Sequence, residues 1–363
     1  MRPPLTVVVA DDSALYRQML LNVLRRIDGV EVVGMAAHGR EAVETVLRLR
    51  PDVLTLDVNM PQLDGIGVLR ELRAAGSQAK AIMVSSLTAD GSPATVEALL
   101  EGAFDYVLKP AGIEPHLARE AIQAALTEKL THLRSGATAT GGGPREPARP
   151  VAADAAARTT LPYDAIAIGT STGGPETLRL LVPLLPKHLP VPVLLVQHMP
   201  PVFTAILARR LDELSPVTVV EAADGMKVEP GRVHVAPGGR HLRLVVRDGL
   251  PICGIDDAAP RLGCRPSFDN LLESMLEIYG GRMLAVVLTG MGCDGLEGAR
   301  RLKARGGIVV AQSPETCGVY GMPKAVVEHG LADAVLPPEA IGQLLAAGLT
   351  AAHSRPASPR PRG

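Results

Sequence analysis

Most of this chain alternates short apolar runs with amphipathic stretches, and one segment that shows neither pattern divides it in two. In the first part "TVVVA", "VEVVGMA", "VLTL", "AIMVSS" and "YVLKP" predict strands, the central ones apolar on both faces. Between and after them, "ALYRQMLLNVLRRI", "REAVETVLRL", "DGIGVLRELRAA", "PATVEALLEG" and "HLAREAIQAALTEKL" space their apolar residues three and four apart, as amphipathic helices do. Five such β/α units predict a parallel sheet covered by helices on both faces. From about Ser135 to Thr160 the chain reads "SGATATGGGPREPARPVAADAAARTT". This segment has too little apolar surface to order itself and predicts a flexible linker.

Alternation then resumes. "AIAIG", "VPVLLVQ", "VTVVEA", "RVHVAPG", "HLRLVV", "MLAVVLTG", "GIVVAQ" and "DAVLPP" predict strands; "PETLRLLVPLL", "FTAILARRLDEL", "SFDNLLESMLEIYG", "GLEGARRLKARG" and "PKAVVEHG" predict helices. Arg232 to Ile255 has the pattern of antiparallel hairpins inserted into an α/β domain. The expected fold is α/β, two doubly wound parallel-sheet domains. They occupy residues 1–134 and 161–350, joined by a linker at 135–160 and followed by a frayed tail at 351–363. A length of 363 residues agrees with two domains at about 150 residues each.

Composition narrows the function. Hydrophobic residues make up 47%, enough for two cores, but aromatics only 2%, so the cores are aliphatic. Scarce rings argue against a single-stranded nucleic-acid platform, which needs faces for bases to stack on. A net charge of -1 gives no electrostatic reason to expect DNA or an anionic membrane as partner. Cys253, Cys264, Cys293 and Cys317 form no C-x-x-C pair, and their spacing suits neither a zinc site nor a disulfide framework. Reduced thiols, no leader-like N-terminus and no apolar stretch of bilayer length predict a soluble cytoplasmic protein without membrane insertion.

In the first domain, Asp11 and Asp12 follow the first strand and Asp57 follows the third. The carboxyl ends of parallel strands share one rim, where ligands bind. Three converging carboxylates repel unless a cation sits among them, and oxygen donors suit Mg²⁺. Ser85 and Lys109, at the ends of the fourth and fifth strands, suit an anion such as phosphate. Taken singly, Asp12-Ser13 reads as a helix cap. Five such positions at four strand ends do not. These residues resemble those of the receiver domains of two-component response regulators, over residues 5 to about 125. The resemblance implies that Asp57 accepts phosphate from a histidine kinase. It implies that Asp11, Asp12, Asp57 and the Asn59 backbone carbonyl hold Mg²⁺, that Ser85 and Lys109 contact the phosphoryl group, and that Tyr106 moves on switching.

In the second domain, "AIAIGTSTGGPE" puts Ser171 between a strand and a helix. The glycine spacing fits neither a dinucleotide fingerprint nor a Walker loop. A tight turn and a nucleophile turn both remain open. "VPVLLVQHMP" puts His198 at another strand end, and "MLAVVLTGMGCDGLEG" puts Asp294 past a third. A hydroxyl nucleophile needs a base within reach, oriented by a carboxylate. Packed-loop and turn roles remain open for His198 and Asp294. His234 and His241, flanking "APGG", are the next candidates for the base.

"GTSTGGP", "QHMP", "HVAPGGRHL", "LTGMGCDG" and "YGMPKA", in this order behind a receiver domain, resemble the CheB-type chemotaxis-receptor glutamate methylesterases. The resemblance implies a serine hydrolase that demethylates glutamate methyl esters on chemoreceptors, deamidates receptor glutamines in many members, and needs no cofactor for the ester chemistry. It implies Ser171 as nucleophile, His198 as general base and acid, and Asp294 as orienting carboxylate, in a monomer. Amides around Thr172 and Met291 are the expected oxyanion site. One departure stands out: where family members often carry His-Arg-Pro-Ser, this chain has Cys264-Arg265-Pro266-Ser267. Cys293, beside Asp294, is expected to be a small space-filler. A silent phospho-switched binding module and an esterase for a non-receptor substrate remain as other readings; a nucleotide-binding one lacks an adequate loop.

Overall fold

The computed structural model describes residues 3–86, 91–110, 112–136 and 163–353. The chain forms two compact units, within Met1–Gly143 and Pro144–Gly363.

The first unit alternates β1 (Leu5–Ala10), α1 (Ala14–Leu24), β2 (Val30–Ala36), α2 (Gly39–Leu49), β3 (Val53–Asp57), α3 (Gly65–Ala74), β4 (Lys80–Ser86), α4 (Gly91–Leu100), β5 (Asp105–Lys109) and α5 (Pro115–Gly136). All five strands are parallel, in the order β2-β1-β3-β4-β5. The strand order reverses between β1 and β3, so the crevice of the switch point opens beyond Ala10 and Asp57. Val7, Val8, Val9, Leu54 and Leu56 are wholly buried, as strands covered on both faces require. The cap of α1 is Ser13, whose Oγ accepts from the Tyr16 amide; Asp12 is left exposed at the rim.

The second unit comprises β6 (Ala165–Thr170), α6 (Gly174–Leu181), β7 (Val193–Gln197), α7 (Phe203–Leu214), β8 (Thr218–Glu221), β9 (Arg232–Val235), β10 (His241–Arg247), β11 (Leu250–Asp256), α8 (Phe268–Tyr279), β12 (Met283–Val287), α9 (Leu296–Ala304), β13 (Ile308–Gln312), α10 (Met322–Glu328), β14 (Ala334–Leu336) and α11 (Pro338–His353). Seven parallel strands run β14-β13-β12-β6-β7-β9-β8. The chain enters at β6, fills one side, then returns to β12 on the other, so the switch point lies between β6 and β12.

The hairpin expectation is half corrected. β10 and β11 do pair antiparallel, around the Asp248-Gly249 turn whose two φ angles are both positive. β9, however, lies in the parallel sheet between β7 and β8. Val233, His234 and Val235 are all buried, and a strand with no wet face suits a covered sheet rather than an exposed hairpin. Helix α11 has no counterpart among the helices predicted from sequence, and it runs three residues into the predicted tail. Helix α5 likewise runs two residues into the predicted linker. The rest of both segments lies outside the described residues.

One packing contact fixes the geometry of the second rim. A Cβ on Gly169 would meet the Phe268 ring at 2.2 Å, and one on Gly295 would meet it at 2.5 Å. The ring is therefore clamped between the end of β6 and the start of α9, which only glycines permit. The same contact brings the N-terminus of α8 against the loop that follows β12.

Candidate functional site

The first rim gathers the predicted carboxylates. One oxygen each of Asp11, Asp12 and Asp57 lies within 4.8 Å of the others. Lys109 Nζ bridges two of them, at 2.8 Å from Asp11 Oδ2 and 2.9 Å from Asp57 Oδ1. Tyr16 lies under the same ammonium, 4.5 Å from ring centroid to nitrogen. Burial raises the Asp57 carboxyl, and the Asp11 charge adds to this, against the pull of Lys109. Burial opposes the Lys109 charge, but Asp11 and Asp57 outweigh it and hold the ammonium up. The Asp57 carboxylate also accepts from the Val58 amide at 2.9 Å. Ser85 Oγ accepts from Thr95 Oγ1 at 2.5 Å. Tyr106 is partly buried, with Lys129 5.7 Å from its ring, and burial pushes its phenol up. Asn59 lies exposed two residues beyond Asp57. An all-oxygen donor set at this separation fits a hard divalent cation.

At the second rim Ser171, His198 and Asp294 follow β6, β7 and, after a loop, β12. His198 Nε2 lies 2.9 Å from Asp294 Oδ2. The carboxylate is saturated. Its Oδ2 also accepts from the Phe268 amide at 2.7 Å, and its Oδ1 accepts from Ser267 Oγ at 2.9 Å and the Asp269 amide at 3.0 Å. Asp294 thus sits on the N-terminus of α8, where amide donors and the helix dipole favour an anion. Burial works against that charge, yet His198 and these amides hold the carboxyl below its ordinary value. Burial likewise disfavours the imidazolium, but Asp294 and the Cys264 sulfur together push His198 up to about 9. Burial raises the next acid along α8, Asp269, to about 6, and it caps α9 through the Gly298 amide.

Ser171 is held by its backbone. Its amide donates to Thr289 O at 2.9 Å, and its carbonyl accepts from Gln197 Nε2 at 2.9 Å. The same Gln197 amide reaches His198 O at 3.3 Å, tying the two loops together. No hydrogen bond joins Ser171 to the His198 ring. That ring's Nδ1 faces Cys264 Sγ at 3.6 Å instead. Gly290 makes room for the serine, since a Cβ there would meet Ser171 Cβ at 2.8 Å and Met322 Sδ at 2.5 Å. The Met291 amide donates to no partner among the described residues, and Thr172 is buried with its carbonyl taken by Thr289 Oγ1.

The other base candidates go elsewhere. His241 is fully buried; its Nδ1 accepts from the Ser267 amide and its Nε2 faces Ala259 O. His234 is fully buried within the sheet, and burial pushes it down to about 4. Cys293 is exposed, so it fills no space. Sequence reasoning assigned no role to Thr289, Gln197 or Ser267. Thr289 is a latch: its Oγ1 donates toward the Thr172 and Val319 carbonyls and accepts from the Val319 amide, while its own carbonyl takes Ser171 N. A short polar residue directly after an apolar strand was the available signal.

Comparison with known proteins agrees with this organisation. The family model for the CheB methylesterase matches residues 166–345, and that for the response regulator receiver domain matches residues 7–122. A protein-glutamate methylesterase/protein-glutamine glutaminase of Thermotoga maritima is 42% identical over 91% of this chain and 94% of its own length. One of Symbiobacterium thermophilum is 43% identical over 94% and 96%. The crystal structure of the Thermotoga maritima CheB methylesterase catalytic domain is 47% identical, covers 51% of this chain and 98% of its own, and aligns with a TM-score of 0.50. The chain belongs to the CheB methylesterase family, hydrolases of carboxylic esters, here with a receiver domain ahead of the catalytic one.

Proposed function

We propose that this chain removes methyl groups from glutamate methyl esters, and amide nitrogen from glutamines, on chemoreceptors, using Ser171, His198 and Asp294. What carries the reading is the convergence of these residues beside one switch point, with His198 hydrogen-bonded to Asp294 at 2.9 Å. The edge of the imidazole away from Asp294 is the one available to a serine. Against burial, the pull of Asp294 and Cys264 on the ring makes the neutral form of His198 the minor one near neutral pH, and more abundant as pH rises toward about 9. In that form His198 Nδ1 takes the proton of Ser171 Oγ as that oxygen attacks the ester carbonyl, and Cys264 must yield its place as this happens. The Met291 and Thr172 amides are the assigned donors to the developing oxyanion. The imidazolium returns its proton to the departing methoxide, releasing methanol. Water, deprotonated by the same nitrogen, then cleaves the acyl-serine ester. Asp294 keeps the ring oriented and offsets its positive charge throughout.

The receiver controls this activity. Asp57 is the assigned phosphoacceptor for a histidine kinase, and Asp11, Asp12, Asp57 and the Asn59 carbonyl are the assigned Mg²⁺ ligands. The ion supplies charge neutralisation for phosphoryl transfer to a carboxylate. A dianion at Asp57 draws Lys109 further from Asp11 and draws Ser85 Oγ from Thr95, and Tyr106 follows. The linker assigned to 135–160 joins the receiver, 1–134, to the catalytic domain, 161–350. No helix among the described residues is long and apolar enough to cross a membrane; we place the protein in the cytoplasm, as a monomer facing receptor cytoplasmic helices.

The test is methanol release from methylated chemoreceptor membranes, with and without Mg²⁺ and a small phosphodonor. Release that rises with phosphodonor and vanishes in Ser171→Ala is expected. Folded protein that takes phosphate at Asp57 yet releases no methanol from any receptor preparation overturns the assignment of substrate.

A further inference from the structure

Cys264 closes a tight turn. Its amide donates to Arg261 O at 2.8 Å, and its carbonyl accepts from the Arg261 amide at 3.1 Å. Between them Leu262 and Gly263 both have positive φ, 51° and 77°, and both are exposed. The turn holds the partly exposed Cys264 sulfur 3.6 Å from His198 Nδ1. The other ring nitrogen, Nε2, lies 2.9 Å from Asp294 Oδ2. Thiol and carboxylate therefore engage opposite nitrogens of one imidazole. Leu262 O, 3.7 Å from the sulfur, is an acceptor that cannot carry its proton away.

A thiol, a base facing it and a carboxylate behind the base are the parts of a cysteine nucleophile. The thiolate is the reactive form, and making it requires a place for the proton. Nδ1 is that place: against burial, Asp294 and the sulfur itself favour the charged ring up to about 9. The other three thiols lack this arrangement. Cys253 is buried, and burial pushes it up to about 12. Burial does the same to Cys317, whose sulfur faces the Gln312 carbonyl at 4.0 Å. Cys293 is exposed, but its sulfur has no hydrogen-bond partner among the described residues. Cys264 takes no part in the ester chemistry, yet it stands where Ser171 must come, so a change at its sulfur acts directly on the base.

We propose that Cys264 is a modification site for hydroperoxides, activated by His198 and Asp294, and that its oxidation switches the hydrolase off. The sulfur attacks one peroxide oxygen as Nδ1 takes the thiol proton. An S–O bond forms and the O–O bond breaks; sulfur gives up two electrons and the peroxide accepts them. The departing oxygen takes the proton from Nδ1 and leaves as water or an alcohol. The product is a sulfenic acid. Its oxygen bonds Nδ1 at an ordinary hydrogen-bond length of about 2.8 Å, in place of a 3.6 Å sulfur contact. The side chain that must yield to Ser171 is then held more firmly, and hydrolysis stops. Two equivalents of a small thiol restore Cys264, releasing water and a disulfide. The modification stands on the geometry of Cys264 and His198; the loss of hydrolysis rests on the esterase reading above.

The full chain treated with hydrogen peroxide and dimedone, which traps sulfenic acids, tests it by peptide mass spectrometry. The adduct is expected at Cys264 before Cys253, Cys293 or Cys317. Labelling of Cys264 should persist in Ser171→Ala and slow by about tenfold or more in His198→Asn, which removes the base. Asp294→Asn, which leaves the ring in place, should slow it too. With dimedone omitted, ester hydrolysis should fall in step with oxidation and return with dithiothreitol. Cys264→Ser should keep its own untreated rate at the same peroxide dose. Labelling of Cys264 no faster than of Cys293, or unchanged in folded His198→Asn, overturns the site. Full oxidation with undiminished hydrolysis overturns the switch. Fast, His198-dependent labelling in a chain that hydrolyses no ester supports the site and overturns the esterase reading instead.

Discussion

Asp294 Oδ2 accepts from the Phe268 amide at 2.7 Å while lying 2.9 Å from His198 Nε2, so a single oxygen ties the start of a helix to the base. Asp294→Asn replaces one acceptor oxygen by a donor group. The amide then faces either His198 or the α8 amides with the wrong polarity. In serine hydrolases the equivalent change costs about 10⁴-fold in kcat through the wrong imidazole tautomer. A loss on that scale, with methanol release from receptor membranes as readout, is expected here. A loss below tenfold removes Asp294 from the mechanism.

The clamp on Phe268 predicts coupling between packing and chemistry. Phe268 is wholly buried between Gly169 and Gly295. Phe268→Ala removes the ring and leaves a cavity, at a cost of about 3–5 kcal/mol. Because the Phe268 and Asp269 amides hold Asp294, hydrolysis should fall further than the folded fraction does. Denaturant midpoints and turnover per folded molecule, measured on the same samples, separate the two effects. Phe268→Leu, which fills most of the space, should recover most of both.

Gly290 offers a narrower test of how Ser171 is placed. A methyl group there meets Ser171 Cβ and Met322 Sδ at distances no side chain tolerates. Gly290→Ala must therefore push the serine or the methionine aside. A displacement of about 1 Å at a nucleophile costs on the order of 10²-fold in rate. Met322→Ala in the same chain relieves one of the two clashes and should restore part of kcat. No restoration identifies the serine contact as the one that matters.

Asp57→Asn should abolish the difference in hydrolysis between samples with and without phosphodonor. Its mass after phosphodonor treatment should lack the phosphoryl increment seen in the parent. Lys109→Met leaves Asp11 and Asp57 without the ammonium that bridges them. It should still take phosphate but lose the stimulation, since the cation that answers a new dianion is gone.

Much of this was legible in the chain because it rests on local patterns. "FTAILARRLDEL" became α7 because apolar periodicity and burial agree there, and "VEVVGMA" became β2 residue for residue on its strand-forming composition, although only Ala36 of it is buried. Asp11, Asp57 and Lys109 were readable because carboxyl-end positions in a parallel sheet follow from strand order. β9 was misplaced because three apolar-compatible positions beside a real hairpin look alike in a sheet or outside it, and only tertiary pairing with β7 decides. The partner of His198 Nδ1 was not readable either. Cys264 stood out as a departure from the family's usual histidine, but its distance from His198 in the chain, 66 residues, hides the contact.

His234 gives the pH dependence of stability a definite sign. It is wholly buried, and burial lowers it from an ordinary 6.5 to about 4, with Arg232 adding to the effect. The folded state therefore refuses a proton that the unfolded chain accepts. Stability from this group is complete above pH 6.5 and is lost progressively as pH falls from 6.5 toward 4, below which the loss levels off. A shift of this size corresponds to roughly 3 kcal/mol over that window. His234→Phe, a ring of similar shape without the titrating nitrogens, should flatten the fall. Urea midpoints of the parent and this variant at pH 7.5 and at pH 4.5 measure it. A variant that loses stability between these two values as steeply as the parent places the acid sensitivity on other groups.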